Sequence, residues 1–331
     1  MRDASYDVIG IGSAIVDILS RKNDRFIADA GMVKGTMALV TAEESQALYK
    51  RIKPTQEMSG GSAANTMAGI ASMGGTPAFI GRVGNDKLGK AFSDDIESVG
   101  VDFYSGNLPP SQLPTATCLV LVTPDGQRTM NTYLGACTEL NPSDIDVDKV
   151  ASSQVVYIEG YQWDAELAKQ AIRKACGAAK DSKRQVALSL SDPFVVDRHR
   201  GDLLMLIEED VDLLFGNQEE IFHLCEANDL KVAISRLREA NVLACMTRGA
   251  KGAVVFDGES TATIPAMAVG QVVDTTGAGD LFAAGFLYGY THGRDLLGCA
   301  KLGAMAAAQI ISQLGARSKV PLCDLIEAQE L

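Results

Sequence analysis

Asp274-Thr-Thr-Gly-Ala-Gly-Asp280 joins a glycine-rich turn directly to the apolar run Leu281-Phe-Ala-Ala-Gly-Phe286. A helix starting there leaves the N–H groups of its first turn without partners, and its dipole adds partial positive charge. Together these make an anion hole. Gly277 and Gly279 let a phosphate come close to the backbone. Asp280 falls in the first helical turn, where two readings stand. It can be a helix-stabilising carboxylate. It can also be a base, because a carboxylate beside an anion hole is poor design for anion binding alone. It makes sense if a hydroxyl must lose its proton while attacking the phosphate.

Four further segments carry polar groups at places where ligands bind. Ser59-Gly-Gly-Ser-Ala-Ala-Asn65 sets Gly60 and Gly61 before a helix of small residues, and Asn65 offers both a donor and an acceptor. A tight turn with close packing explains the same residues. Asn217-Gln-Glu-Glu220 follows the strand Leu213-Leu-Phe215, where open α/β sheets keep their ligands. Glu220 could hold Mg²⁺ through water. Equally, Asn217 and Glu220 form a capping box, and both readings can hold together. Thr247-Arg-Gly-Ala-Lys-Gly252 is a nucleotide contact or a plain β-turn. Asp17, among apolar neighbours, needs hydrogen bonds from backbone amides or from a polyhydroxylated ligand.

Two segments imitate known phosphate loops. Gly84-Asn-Asp-Lys-Leu-Gly-Lys-Ala91 nearly matches a Walker A loop, but Ala91 replaces the Mg²⁺-binding hydroxyl and Asp86 lies inside the cradle. It reads as a capped helix start. Gly10-Ile-Gly12 suggests a dinucleotide site, but Ile15 stands where a third small residue belongs. That fingerprint fails, and a nicotinamide-dependent dehydrogenase is disfavoured with it.

The elements that must position these residues alternate. Strands are expected over 6–11, 37–40, 78–83, 155–158, 186–190, 213–215, 242–247 and 253–256. Helices are expected over 42–52, 62–73, 87–99, 165–179, 218–227, 231–240, 279–290 and 296–314. Such alternation implies a mostly parallel sheet covered on both faces. Pro124-Asp-Gly-Gln127 between Leu119–Val122 and Thr129–Leu134 interrupts it with a hairpin signature. The hairpin and the N-terminal strands would form a small separate sheet. No internal repeat or long linker is evident.

Composition bounds the partners. The 331 residues carry 30 Lys and Arg against 42 Asp and Glu, a net charge of −12, which argues against nucleic acid. The seven cysteines include no CxxC pair, and none of the three histidines has zinc-ligand spacing with one. They read as reduced thiols of a cytoplasmic protein. The start lacks a signal-peptide layout. Residues 58–81 carry no charge but hold six glycines, and would span a membrane poorly. Oligomeric state stays open between monomer and homodimer.

Taken together, the motifs resemble the ribokinase-like (PfkB) carbohydrate kinases. Gly60-Gly-Ser-Ala-Ala-Asn65 with Gly74 and Gly84, the Asn217–Glu220 element, and Asp274–Asp280 match that family in order and spacing over nearly the whole chain. Within it the chain is most similar to the adenosine kinases, through Gly126-Gln-Arg-Thr-Met-Asn-Thr-Tyr-Leu-Gly-Ala136, Leu190-Ser-Asp-Pro-Phe-Val195 and Leu214-Phe-Gly-Asn-Gln-Glu219. Gly12–Asp17 and Tyr161-Gln-Trp163 depart from the eukaryotic pattern.

The resemblance implies a three-layer α/β sandwich with a small β-sheet lid. Residues 1–14, 41–101 and 136–331 would form the body, and 15–40 and 102–135 the lid. It implies ATP-dependent phosphorylation of a nucleoside 5′-hydroxyl, adenosine to AMP, with Asp280 as general base. The N–H groups of Gly277, Ala278 and Gly279 would stabilise the transferred phosphoryl group. Asp17, Gly60, Gly61 and Asn65 would bind the ribose, with Met37, Leu134 and Phe194 around the base. Asn217, Thr247, Gly249 and Gly252 would lie along ATP, and Glu220 would hold Mg²⁺. Some relatives place a monovalent cation, K⁺, near the residue matching Asp274. The alternatives are a ribokinase or guanosine kinase of the same family, and a non-catalytic nucleoside sensor.

Overall fold

A computed structural model describes residues 4–105 and 111–328. The chain runs β1 (Tyr6–Ile11), β2 (Ile15–Arg21), α1 (Asp24–Asp29), β3 (Met37–Leu39), α2 (Ala42–Ile52), β4 (Gln56–Gly60) and α3 (Ser62–Ser72). It continues through β5 (Pro77–Ile80), α4 (Lys87–Ser98), β6 (Asp102–Tyr104), β7 (Ala116–Val122), β8 (Arg128–Tyr133), α5 (Val147–Ala151), β9 (Ser153–Glu159) and α6 (Glu166–Asp181). Then follow β10 (Gln185–Ser189), α7 (Pro193–Asp210), β11 (Leu213–Asn217), α8 (Gln218–Leu224), α9 (Leu230–Glu239) and β12 (Leu243–Thr247). The last elements are β13 (Ala253–Phe256), β14 (Thr261–Ile264), α10 (Ala278–Thr291), α11 (Leu296–Ile311) and α12 (Leu322–Ala328).

Nine strands form the central sheet in the order β14-β13-β12-β11-β10-β9-β1-β5-β6. All pairs are parallel except β12–β13 and β13–β14. Alternation along each strand splits the core in two. Val8, Phe79, Tyr157 and Phe215 pack with α3, α10 and α11, while Ile9, Val156, Ile158 and Leu214 pack with α6, α7 and α8. That is the three-layer arrangement expected of a parallel sheet buried on both faces.

The second sheet has the order β3-β8-β7-β2-β4. Val16, Ile18, Leu119 and Leu121 of one face join the core with Leu48 and Ile52 of α2 and Phe92 and Ile96 of α4. Period 2 therefore sends Asp17, on β2, to the opposite face. The hairpin turn is as read: Thr123 N–H and Gly126 N–H close it on Gln127 and Thr123 carbonyls, and Gly126 has φ of 82°.

Several expectations differ from the fold. β2 and β4 are strands that the polar residues Asp17, Gln56 and Glu57 hid; one face of each looks outward from the core. Sheet pairing also redraws the segments. β4 belongs to the small sheet although 41–101 was assigned to the body, and β6 is the body sheet's edge although 102–135 was assigned to the lid. Residues 1–3, 106–110 and 329–331 of those segments lie outside the described residues. α7 stands outside the expected helices: its sequence is dense in charged side chains and its backbone breaks at His199, with φ of −124° and ψ of 17°.

Close helix contacts set the position of α10. A Cβ on Gly285 would lie 2.5 Å from the Leu302 backbone of α11, and one on Gly69 of α3 would lie 2.6 Å from Ala284 of α10. Backbone cannot yield as a side chain can. Gly285→Ala is therefore expected to lower stability by about 1–3 kcal/mol, reversing the sign of the roughly 1 kcal/mol gain that Gly-to-Ala brings inside an unhindered helix. Urea unfolding of the two proteins decides the sign.

Candidate active site

Two helix N-termini meet at one carboxylate. α3 begins after Gly61 and α10 after Gly277, both at positive φ, 97° and 76°, and neither glycine has a side chain with which to cap its helix. Most other helices here are capped by an Asp, Asn or Thr side chain, as α4 is by Asp86 and α9 by Asp229. Gly61 is required twice over, since a Cβ there would also strike the Ser13 carbonyl. Asp280, the third residue of α10, reaches across to α3. Its Oδ1 accepts from Ser62 Oγ at 2.6 Å and its Oδ2 from Asn65 Nδ2 at 3.1 Å, while Thr66 Oγ1 donates to its backbone carbonyl at 3.2 Å. Burial pushes the Asp280 carboxyl up to about 6, against the two donors and Arg317, and the Glu159 charge adds to the rise.

Glu159 serves α3 as a remote cap. It ends β9, is fully buried, and accepts from Ser13 N–H at 2.6 Å and from Ala63 N–H, in the first turn of α3, at 2.9 Å. Gly12 makes room for it: a Cβ there would lie 2.5 Å from Glu159 Oε2. The glycine after β1 thus accommodates a carboxylate, not a pyrophosphate. The Walker-like segment is likewise a capped start. Asp86 accepts from Gly89 N–H at 2.8 Å, and from Thr115 N–H and Oγ1 at 2.8 and 2.7 Å.

Asp17 faces this site from the small sheet. Its carboxylate lies against Gly60, where any Cβ would collide with it. Burial raises it to about 6, opposed by Arg317 and Arg128 and reinforced by Asp280. Asn65 spends its amide nitrogen on Asp280 and keeps a buried, unpartnered Oδ1.

The α10 turn separates the expected anion donors. Ala278 N–H is turned to the Thr275 carbonyl at 3.2 Å. Gly279 and Asp280 stand in the first helical turn, whose N–H groups have no carbonyl within the helix to donate to. A Cβ on Gly279 would meet nothing within 4 Å, so its approach is open, whereas one on Gly277 would press on Ala316 at 2.9 Å.

Asn217 and Glu220 form the capping box in full. Glu220 N–H donates to Asn217 Oδ1 at 2.9 Å, Asn217 N–H to Glu220 Oε2 at 2.8 Å, and Asn217 Nδ2 to Glu220 Oε1 at 2.6 Å. Burial lifts Glu220 to about 7 against the Asn217 backbone donor, with Asp192, Glu219 and Asp280 raising it further. Strand register sets Asn217 beside Thr247. Gly249 is open, but Gly252 is dictated by the Ile264 carbonyl that a Cβ would strike.

Two of the three residues expected around the base lie open to solvent. Met37 is 51% and Phe194 71% exposed, and Leu134 is half-buried. Asp274 is buried and charge-compensated: Arg128 of β8 pairs with its Oδ2, Gly315 N–H donates to the same oxygen at 2.8 Å, and Thr276 N–H to its Oδ1 at 3.0 Å. Arg128 also donates to Thr276 Oγ1 at 2.7 Å. A guanidinium therefore pairs with the carboxylate near which the resemblance suggested a monovalent cation.

Glu159, Arg128 and Arg317 carried no assignment from the sequence. Glu159 could have been found by the rule that singled out Asn217, a polar residue ending an apolar strand. Arg128 lies beside the Asp-Gly turn. Nothing local marks Arg317.

An α/β body, a lid face bearing one carboxylate and a second carboxylate inside a helix N-terminus left open for an anion define a phosphotransferase with a hydroxyl acceptor. The model of the pfkB family carbohydrate kinases matches residues 35–323, and the chain belongs to that family. It is similar to an adenosine kinase from Sinorhizobium meliloti, at 46% identity over 98% of this chain and 100% of that one, with a TM-score of 0.90. A probable sugar kinase protein from Rhizobium etli CFN 42 is similar at 44% identity over 99% of both chains, with a TM-score of 0.91. The adenosine kinase of Saccharomyces cerevisiae is 26% identical over 93% of this chain and 95% of its own length. Among the described residues no helix is long and apolar enough to cross a membrane.

Folding raises Asp17, Asp280 and Glu220 above their ordinary values. The folded state then binds more protons than the unfolded chain between about pH 4 and pH 6–7, so these groups weaken the fold above that range and stop doing so as pH falls through it. Asp17→Asn is expected to raise the melting temperature at pH 7.5 by on the order of 2 °C, with the gap closing toward pH 5. Calorimetry at the two pH values measures it.

Proposed function

We propose that the protein transfers the γ-phosphoryl group of ATP to the 5′-hydroxyl of a nucleoside, adenosine giving AMP. The observation that carries this is Asp280: a half-buried carboxylate, oriented by Ser62 and Asn65, standing in the first turn of a helix whose N-terminus is open. One group for the proton and one for the phosphate lie within a single turn of helix.

In this reading the acceptor lies between the lid and the body, with Asp17 and the unpartnered Asn65 Oδ1 accepting from ribose hydroxyls over the Gly60-Gly61 backbone. Asp280 takes the 5′-hydroxyl proton as that oxygen bonds to the γ-phosphorus. The bond from the γ-phosphorus to the bridging oxygen breaks, and ADP leaves with that electron pair. The free N–H groups of the α10 turn, near Gly277 and Gly279, receive the charge spread over the phosphoryl oxygens. Ala278 contributes once its N–H leaves Thr275. Asn217, Thr247 and Gly249 lie along ATP. Arg128 brings a lid cation to the same turn, through Thr276, and closes the site against water, which would otherwise accept the phosphate.

Asn217 and Glu220 fit a water-mediated Mg²⁺ site, because Asp192, Glu219 and Asp280 all repel a charge on Glu220 and a cation would relieve that repulsion. When bound, Mg²⁺ supplies charge compensation for the phosphates.

A sugar acceptor is the second reading, favoured by the exposure of Met37 and Phe194, two residues that would otherwise flank a purine. Loop closure over a bound nucleoside would bury them.

Asp280→Asn is expected to fold and to lose about 10²–10⁴-fold in kcat, the scale of general-base loss; near-normal turnover would sink the assignment. Gly279→Ala tests the anion hole separately. Its Cβ enters open space, so melting should stay level or rise, while kcat/KM falls at least about 10-fold by obstructing the phosphate's approach to the backbone. Unchanged kinetics would remove Gly279 from the phosphate site.

A further inference from the structure

Arg317 enters the site from the segment that follows α11. Its Nη2 donates to the Ser59 carbonyl at 3.1 Å and to Ser59 Oγ at 3.0 Å, immediately before Gly60-Gly61. Ser59 is tied in turn to Asp95 of α4, through its N–H at 2.7 Å and its Oγ at 2.5 Å. The remaining nitrogens, Nε and Nη1, are buried without a partner. With Asn65, Gly69, Leu281 and Ala316, Arg317 lines a cleft of about 440 Å³ beside the α3–α10 contact, with the exposed Lys319 at its rim.

A buried cation that makes few hydrogen bonds and no contact ion pair is costly. Three carboxylates nevertheless surround it: Asp95 of α4, Asp17 of β2 and Asp280 of α10. For Asp95 the Ser59 hydroxyl and amide already provide hydrogen bonds. Asp17 and Asp280 are the two carboxylates assigned to the acceptor in the proposed function, and among the described residues neither forms a salt bridge.

We propose that Arg317 is a positioning residue for phosphoryl transfer, its guanidinium standing behind the acceptor site as the counter-charge to Asp17 and Asp280. Two like charges on one small hydroxyl pocket repel each other, and burial disfavours both. Arg317 offsets that repulsion without touching the acceptor, and its hydrogen bonds to Ser59 hold the strand end on which Gly60 and Gly61 sit. Burial brings the guanidinium itself down to about 10, against the attraction of the three carboxylates, so it keeps its charge throughout the neutral range. The other groups around Asp280 do not replace it. Ser62 and Asn65 are neutral donors, Glu159 of β9 and Glu220 of α8 add negative charge, and Tyr157 and Tyr161 titrate far above neutrality. Arg128 acts on Asp17 but is engaged with Asp274.

The inference rests on Asp280 acting as the base, and two readouts keep the two ideas apart. The first is the pH profile of kcat/KM, whose acid limb should fall near the Asp280 value. The second is a direct NMR titration of the Asp280 carboxyl, assigned by its loss in Asp280→Asn. Arg317→Gln keeps an amide donor for Ser59 but removes the charge. It should move both the limb and the carboxyl titration upward by about 0.5–1 pH unit, so that activity recovers at alkaline pH. Arg317→Lys should leave both near their wild-type positions. A titration that stays in place in Arg317→Gln overturns the inference and leaves the base assignment standing. A titration that moves while the limb stays overturns the base assignment and the inference with it. A loss of activity by the same factor at every pH would reduce Arg317 to a structural role and overturn the inference too.

Discussion

The structure depends on one electrostatic constraint: a half-buried carboxylate stands where two helix N-termini meet. Asp280 is stabilised there by α10, by the first turn of α3, and by the Ser62 and Asn65 side chains. Helix dipoles and neutral donors favour its charge; burial and Glu159 oppose it. The balance leaves Asp280 a stronger base than an exposed aspartate yet still ionised at neutral pH. That is the condition a general base requires.

The rest of the fold serves this balance. Gly69 and Gly285 let α10 sit in close contact with both α3 and α11, which places Asp280 opposite Ser62. Glu159 takes over the cap of α3, so no residue of α3's own needs to fill that end. Gly12, Gly60 and Gly61 give room to Glu159, Asp17 and the Ser13 carbonyl in turn. The lid is joined to the body at the same place, because Arg128 of β8 pairs with Asp274 and Thr276 just before α10 begins. Under the proposed function, opening the small sheet would separate this largely buried ion pair at the α10 turn, coupling access to the acceptor with the state of that turn.

The parts of this site that depend on local backbone chemistry were legible in the sequence. Glycines before an apolar run mark an uncapped helix start, and the Asn217–Glu220 spacing is a capping box that the structure forms completely. The parallel core was legible too, since strands such as Val155–Ile158 are continuously apolar. Elements with one face turned from the core were not, as β2 and β4 show: Asp17 and Gln56-Glu57 lie on that face and break the apolar pattern. Long-range charge was invisible. Arg317 lies 37 residues after Asp280 in the chain and 258 after its hydrogen-bond partner Ser59, and no periodicity links them. At Asp274 too the partner is distant in the chain: the side chain that meets its carboxylate is an arginine from the other sheet.

What the acceptor is depends on side chains that this conformation leaves exposed, so it is best read from turnover. Asp280 and the α10 turn would serve a primary hydroxyl of any acceptor that Asp17 can hold by its diol. ADP release measured with adenosine, 5′-deoxyadenosine, guanosine, inosine and ribose under one condition separates the cases most directly. The account predicts turnover with adenosine, AMP as the product, and none with 5′-deoxyadenosine, which lacks the hydroxyl that Asp280 would deprotonate. Turnover of ribose without adenosine would contradict the nucleoside assignment, and tight adenosine binding with no ADP release from any acceptor would contradict catalysis itself.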